Sequence, residues 1–179
     1  MGAPSPIIED VLAPGLALVF CGTALGRISA ERRAYYANPG NYFWRTLHDV
    51  GLTPERIEPA NYANVLRYGI GLTDLCKTHF GQDAELPASG FDTAGLAAKI
   101  DLFQPAHLAF TSKTAASIFL DRPTGQFQCG PLGKSIGKTE IWALPSPSGQ
   151  ARRYWDTAPW QALADAVSSA HAEGSASSA

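Results

Sequence analysis

Asp74 carries the carboxylate that we expect to do chemistry in this chain. It follows residues 68–73, which are predicted to form a strand, so it should lie at the carboxyl edge of a sheet, where α/β proteins bind ligands. A carboxylate at that edge could orient or deprotonate a water molecule and offset positive charge that develops on a substrate. The alternative is structural, because an aspartate in the sequence Leu-Thr-Asp-Leu can also cap a turn or a helix.

A glycine-containing turn, Gly22-Thr-Ala-Leu-Gly26, follows the apolar residues 16–21. Such a turn brings backbone N–H groups close to a ligand and suits an oxygen atom that becomes negative during a reaction. The same turn could be a flexible strand-to-helix connection without a ligand. An unrelated nucleotide-binding domain is a further alternative, but the turn fits neither Gly-x-Gly-x-x-Gly nor the Walker pattern, and no lysine follows it.

Two further stretches combine turn residues with aromatic, amide and guanidinium side chains. The first is Tyr35-Tyr-Ala-Asn-Pro-Gly-Asn-Tyr-Phe-Trp44, in which two tyrosines precede a Pro-Gly turn that leads into a predicted helix. The second is the loop Pro145-Ser-Pro-Ser-Gly-Gln-Ala-Arg152. Ser146 has no base partner visible in the sequence, so we do not expect it to be a nucleophile.

The elements that must position these residues alternate between strands and helices. Continuous apolar runs and one glycine-interrupted run predict buried strands at 16–21, 68–73, 107–111 and 140–144. Helical patterns lie at 41–50, 93–103, 111–120 and 158–171. This alternation predicts an α/β fold, a three-layer sandwich with a mainly parallel central sheet flanked by helices.

We expect a single domain over residues 8–167, because 179 residues of which 45% are hydrophobic can bury one substantial core. The segments 1–7 and 168–179 are expected to be flexible, the second because it is rich in Ser, Ala and Gly. No apolar run approaches the roughly 20 residues that span a bilayer, and the first residues do not resemble a signal peptide. We therefore expect a cytoplasmic protein with no membrane contact.

A net charge of −2 argues against a protein that coats nucleic acid non-specifically, so any DNA contact should use a local basic face. The candidates for that face, which could also be scattered surface charges, are Arg27, Arg32, Arg33, Lys113, Lys134, Lys138, Arg152 and Arg153. The three cysteines lie far apart without a Cys-x-x-Cys pair, and the four histidines show no metal-ligand spacing, which argues against a disulfide framework and a zinc site. We expect neither a metal nor a cofactor.

Together, the three stretches resemble the active-site motifs of the mismatch-specific uracil-DNA glycosylases. The resemblance runs from Ile8 to about Trp155, includes Gly69-Ile-Gly-Leu-Thr-Asp-Leu75, and implies the uracil-DNA glycosylase-like fold. The family's first motif usually reads Gly-Ile-Asn-Pro-Gly, and here Ala24 replaces its water-positioning asparagine. At the place of Asp74 family members often carry lysine or asparagine, so we expect Asp74 to take over catalysis.

The resemblance also implies a base-binding pocket. Its expected members are Gly22, Thr23, Ala24, Gly26, Ser29 and Tyr36. In the family an aromatic residue at the place of Tyr36 stacks on the flipped base, and the asparagine that matches Asn41 helps to build the pocket. Asn41 is a second catalytic candidate, because it could position water if the pocket is arranged as in the deoxyinosine-directed relatives.

The third stretch resembles the family's Asn-Pro-Ser-Gly loop, which inserts residues into the duplex, and here it begins with Ser146. Gln150 and Arg152 fall at the wedge and opposite-base positions, where an amide and a guanidinium could fill the vacated stack. Ser148 and Gly149 belong to the same expected DNA contact, as does Lys113 elsewhere in the chain. A plain surface loop is the alternative.

The resemblance implies a monofunctional DNA glycosylase of base-excision repair, which hydrolyses the N-glycosidic bond of uracil flipped out of DNA. We expect it to act as a monomer on the nucleoid of a prokaryote-like cytoplasm. Its partner would be double-stranded DNA containing uracil, in G·U mismatches above all, or other mismatched, deaminated or damaged bases. The alternative is a catalytically weak or inactive protein that binds damaged bases, because polar residues of the family are replaced at both Ala24 and Ser146.

Overall fold

The computed structural model of the protein describes residues 2–177 and has a five-stranded sheet at its centre. The strands are β1 (Leu18–Gly22), β2 (Ile70–Asp74), β3 (His107–Phe110), β4 (Gly130–Ile136) and β5 (Thr139–Ala143). Their order across the sheet is β2-β1-β3-β5-β4, with all neighbours parallel except β4, which pairs antiparallel with β5. The predicted α/β fold with a mainly parallel sheet is confirmed.

The α-helices are α1 (Arg27–Arg32), α2 (Phe43–Asp49), α3 (Thr93–Phe103), α4 (Lys113–Leu120) and α5 (Ala158–Ala176). Short 3-10 segments cover Pro59–Tyr68, Asp83–Glu85, Ala88–Gly90, Thr124–Gln126 and Gly149–Tyr154. The predicted helices correspond to α2, α3, α4 and α5, and the predicted strands to β1, β2, β3 and β5. Their ends differ from the prediction by two residues or fewer, except at the end of α5.

Helices cover both faces of the sheet, so its central strands are buried on two sides. In β1, Leu18 and Phe20 belong to a hydrophobic cluster built with α2 and α5. The alternate residues Val19 and Cys21 belong to a second cluster, built with α3 and α4. This two-sided burial explains why the strand is a continuous apolar run rather than an alternating one.

Residues 7–11 run along the outer edge of β2. Val11 and Leu72 exchange two backbone hydrogen bonds, of 2.9 and 2.8 Å, and the Ile7 amide donates to the Lys77 carbonyl oxygen at 2.9 Å. The segment therefore covers an edge that would otherwise expose unpaired backbone groups. It also brings Asp10 next to Thr73, whose hydroxyl donates to Asp10 Oδ1 at 2.6 Å.

Three features differ from the sequence-based prediction. β4 was missed because it is mostly exposed, contains Gly and Pro, and is irregular in its pairing between Pro131 and Ser135. α1 was missed because it is six residues long and buries only Ser29. α5 continues to Ala176, beyond its predicted end at residue 171, and its last residues are exposed.

The flexibility expected of both chain ends stays a prediction, and residues 1, 178 and 179 lie outside the described part of the chain. Across residues 2–177, no helix combines the length and the apolar character that a bilayer crossing requires.

Candidate active site

A cleft of about 680 Å³ opens at the carboxyl edge of the sheet. The buried bottom of the cleft is formed by Gly22 at the end of β1, Asp74 at the end of β2 and Thr111, which follows β3. The other predicted site residues that line it are Thr23, Ala24, Gly26, Ser29, Tyr36, Asn41, Ser146, Ser148 and Gln150. The fold therefore brings the three sequence stretches and Asp74 together around one cleft.

Gly22 and Asp74 lie side by side in the parallel register of β1 and β2. A Cβ atom on Gly22 would lie 2.6 Å from Asp74 Oδ1 and 3.5 Å from both Tyr36 OH and Thr111 Oγ1. The carboxylate and the two hydroxyls therefore surround one small volume beside the backbone of Gly22. A side chain at position 22 would collide with the carboxylate, so the glycine is required by this close approach.

Asp74 is a buried carboxyl group, with only 5% of its surface exposed. Burial raises its pKa from 3.8 to about 7, because the charged form loses its contact with water. The charge of Lys77 opposes this rise in pKa, the charge of Asp10 adds to it, and a hydrogen bond with the backbone of Gly22 favours the charged form. A carboxyl group with a pKa near 7 can accept a proton from water near neutral pH.

Tyr36 presents its ring and its hydroxyl to the cleft. Its ring stacks on Phe43 with centroids 3.8 Å apart and an interplanar angle of 17°, and its hydroxyl lies 3.0 Å from Thr111 Oγ1. The residue has a φ of 52°, in the left-handed region that non-glycine residues seldom adopt. Burial raises the pKa of the phenol, so the hydroxyl is neutral and can donate a hydrogen bond.

Asn41 uses its side-chain oxygen locally. Oδ1 accepts a hydrogen bond of 2.9 Å from the Phe43 amide, which fixes the turn that leads into α2. The amide oxygen is therefore engaged, and the Nδ2 donor is the group with which Asn41 can act on a ligand in the cleft. Ser29 is also engaged, because its Oγ accepts 2.9 Å from the Ala37 amide and so holds the residue after Tyr36.

Sequence reasoning missed the segment 81–85, which lines one side of the cleft. The segment is joined to the glycine turn by the Thr23 hydroxyl, which donates to Asp83 Oδ1 at 2.6 Å, and by the Gly81 amide, which donates to the Leu25 carbonyl oxygen at 2.9 Å. No motif marks these residues in the sequence. Thr111 was also left out of the predicted site residues, although its place at the carboxyl end of the strand predicted at 107–111 was a usable signal.

The third stretch packs against the turn that precedes α2. The Tyr42 amide donates to the Pro147 carbonyl oxygen at 2.8 Å. Arg152 is exposed and folds back, with its Nη2 atom 3.4 Å from the Gly40 carbonyl oxygen and its guanidinium 5.0 Å from the Tyr42 ring. Gly149 also lies against Gly40, because a Cβ atom on Gly149 would be 3.3 Å from the same oxygen.

Lys113 and His107 do not line the cleft. Lys113 begins α4, and its ammonium lies 5.2 Å from the centre of the Phe127 ring rather than against the cleft. His107 begins β3 at the opposite edge of the sheet, where its Nδ1 accepts a hydrogen bond of 3.1 Å from Trp142 Nε1. Within residues 2–177, no three His, Cys, Asp or Glu side chains are grouped in a way that could hold a metal ion.

Comparison with known families and solved structures agrees with this fold. The sequence model of the uracil DNA glycosylase superfamily matches residues 9–165, so the chain belongs to that superfamily. A similar solved structure is a solution NMR structure from Methanosarcina acetivorans, described there as a candidate uracil DNA glycosylase. The two chains are 23% identical and superpose with a TM-score of 0.63 over 90% of this chain and 96% of the other, which shows a shared fold.

Proposed function

We propose that this member of the superfamily is a monofunctional DNA glycosylase of the mismatch-specific type. It hydrolyses the N-glycosidic bond of uracil that is flipped out of double-stranded DNA, above all from G·U mismatches. It works as a monomer on DNA in the cytoplasm. The observation that carries the proposal is the buried Asp74 carboxyl group with a pKa of about 7, at the base of a cleft to which all three motif stretches contribute.

In the proposed reaction, Asp74 activates water. The carboxylate accepts a proton from the water molecule as the water oxygen bonds to the sugar C1′ atom. The C1′–N bond breaks, and the base departs with the bonding electron pair. The negative charge of Asp74 also stabilises the positive charge that develops on the sugar.

The flipped base is held by the groups that line the rest of the cleft. One face of Tyr36 is covered by Phe43, so the other face can stack on the base. Asn41 donates from Nδ2 to a base carbonyl, and the N–H groups of the turn at residues 22–26 approach the oxygen that becomes negative. Gln150 fills the vacated stack, and Arg152 pairs with the unpartnered base on the opposite strand.

This chain departs from the mismatch-specific enzymes at Ala24. Ala24 lines the cleft where the family resemblance calls for a water-positioning asparagine. Loss of one preorganised polar group in such a site can cost about 2.7–4 kcal/mol of transition-state stabilisation. We therefore expect slow release of uracil and, because the alanine is smaller, acceptance of bulkier deaminated or damaged bases such as hypoxanthine and xanthine.

Ala24, which lines the cleft and has no polar side chain, favours one second candidate function, a protein that binds damaged bases and cleaves them weakly or not at all. The two functions share the cleft and the DNA contacts, so binding alone does not separate them. Release of a free base does.

The test is a panel of duplexes that carry G·U, A·U, inosine or xanthine pairs, with an undamaged duplex as control. Single-turnover base release and equilibrium binding are measured on the same duplexes. The proposal predicts base release from G·U and from at least one damaged purine. Tight binding to the lesions without any release would establish the second candidate function instead.

A further inference from the structure

The ammonium group of Lys77 belongs to a network of ion pairs and hydrogen bonds near the bottom of the cleft. Its Nζ atom lies 2.8 Å from Asp10 Oδ1 and donates a hydrogen bond of 2.8 Å to the hydroxyl of Tyr35. The Tyr35 hydroxyl in turn donates to the Glu9 carbonyl oxygen at 3.1 Å. The Lys77 side chain is 15% exposed, which is unusual for lysine, so its charge is stabilised mainly by these partners.

The pairing of residues 7–11 with β2 determines where this network lies. It places Asp10 beside Thr73, the residue before Asp74, and the Ile7 amide binds the carbonyl oxygen of Lys77 itself. Tyr35 is the neighbour of Tyr36, which faces the cleft. The network therefore contacts both the end of β2 and the stretch that contains Tyr36, the residue expected to stack on the flipped base.

The charges of the network do not cancel. Asp10 is shared by two lysines, because Lys77 lies 2.8 Å from its Oδ1 and Lys99 lies 2.6 Å from its Oδ2. Two ammonium groups on one carboxylate leave one positive charge in excess. Asp74 makes no ion pair within 4.0 Å in residues 2–177. Burial raises the pKa of Asp74, whereas the charges of Lys77 and Lys99, which act at longer range, lower it and so favour the ionised carboxylate.

We infer that Lys77, fixed by Asp10 and Tyr35, is a positioning residue whose charge favours the ionised form of the Asp74 carboxyl group, the form that accepts a proton from water. This inference rests on the proposed function. Lys77 touches neither the base nor the sugar in this arrangement, and it acts only through its charge.

The other titratable groups that face Asp74 do not supply the same charge. Burial raises the pKa of Tyr35, Tyr36 and Cys21, so all three are neutral at neutral pH. Burial works to raise the pKa of Asp10, but Lys77 and the hydrogen bonds from Lys77, Lys99 and Thr73 outweigh it, so Asp10 is ionised and opposes the ionisation of Asp74. Lys77 and Lys99 are left as the groups that favour the charged carboxylate.

The experiment compares the pH dependence of single-turnover base release for the wild-type protein and for Lys77→Gln, Lys77→Arg and Lys99→Gln. Removal of the Lys77 charge should shift the midpoint of the acid limb to a higher pH by about one unit. The rate at pH values below that midpoint should therefore fall about tenfold, and the rate at high pH should equal that of the wild type. Lys77→Arg should restore the wild-type profile. Lys99→Gln is the matched control, and because Lys99 is 35% exposed its shift should be smaller.

The titration of the Asp74 carboxyl carbon, followed by ¹³C NMR in the same variants, is a readout that does not depend on activity. It should move upward by the same amount in Lys77→Gln. If that variant does not fold, Lys77→Met makes the same charge change with an unbranched apolar chain. A rate loss that is equal at all pH values, or an unmoved Asp74 titration, overturns the inference. A wild-type protein that releases no base while Asp74 shifts as expected overturns the proposed function alone.

Discussion

Gly22 and Asp74 face each other at the ends of two neighbouring parallel strands, and the missing side chain of Gly22 leaves room for the Asp74 carboxylate. A Cβ atom on Gly22 would lie 2.6 Å from Asp74 Oδ1. The glycine of the first motif and the carboxylate of the second strand therefore form one structural unit. In this chain the first motif provides the space that the Asp74 carboxylate occupies. In the family that this chain resembles, the first motif provides an asparagine side chain instead.

Gly22→Ala should abolish most base release, because the added methyl group pushes the carboxylate out of its place. A displacement of about 1 Å at a reacting group can cost on the order of a hundredfold in rate. Single-turnover release from a G·U duplex measures the effect, with circular dichroism to verify the fold. Gly125→Ala is the matched control, since a Cβ atom on Gly125 meets nothing within 4 Å. A Gly22→Ala protein as fast as the wild type would show that Asp74 need not lie where it does.

Asp74→Asn should stabilise the fold at alkaline pH. The pKa of Asp74 is about 7 in the folded protein, against 3.8 for a free aspartate side chain, so the folded state holds a proton that the unfolded state has lost. Stability therefore falls as pH rises from about 4 to about 7, by on the order of a few kcal/mol. The asparagine variant does not ionise and avoids this loss.

Urea unfolding at pH 4 and pH 8 tests this prediction. The free energy of unfolding of Asp74→Asn relative to wild type should be larger at pH 8 than at pH 4. The pH dependence of the difference is the informative quantity, because any packing defect of asparagine is common to both pH values. A difference that does not change with pH would mean that Asp74 ionises in the folded state as easily as in water.

Tyr36→Ala should weaken binding to duplexes with a flipped base by about 1–3 kcal/mol, the usual contribution of one base–aromatic stack. Tyr36→Phe keeps the ring and removes only the hydroxyl that contacts Thr111, so it should bind almost as tightly. Both variants retain a non-glycine residue at a φ of 52°, which makes their backbone strain comparable. Titration with a non-cleavable uracil analogue in DNA measures the affinities. Equal binding by the alanine variant would remove Tyr36 from base recognition.

Arg152→Ala should weaken DNA binding and lower the slope of log K against log salt by about one, because one fewer cation approaches the duplex. In the free protein the Arg152 guanidinium rests near the Gly40 carbonyl oxygen and the Tyr42 ring, from which it can swing to DNA. Arg122→Ala, at the far end of α4 from the cleft, serves as the control. An unchanged salt slope in Arg152→Ala would leave Arg152 as a residue that only holds the loop.

The sequence was sufficient where one local pattern determines the structure. The apolar run before Gly22 predicted a strand buried on both faces, and β1 is such a strand. The position of Asp74 could be predicted because a residue that ends a parallel strand must lie at the carboxyl edge of the sheet. The helix α3 was predicted with its observed ends, and in the structure the Asp92 side chain caps its first turn by accepting a hydrogen bond from the Gly95 amide.

Contacts between distant parts of the chain could not be predicted in this way. Lys77 meets Asp10 only because residues 7–11 pair with β2, and neither residue carries a local signal of that pairing. Asp83 reaches Thr23 from a loop whose sequence is ordinary. β4 escaped prediction because a mostly exposed edge strand with two glycines and a proline has no apolar alternation.

The most direct test of Asp74 as the water-activating group is the pH profile of single-turnover uracil release from a G·U duplex, for wild type and Asp74→Asn. The wild-type rate should rise about tenfold per pH unit below pH 7 and level off above it, since the carboxyl group has a pKa of about 7 and must be ionised to act. Asp74→Asn should bind the duplex equally well and release uracil at a low rate that does not depend on pH. An Asp74→Asn protein that keeps the wild-type rate and profile would contradict the assignment of Asp74 as the catalytic base.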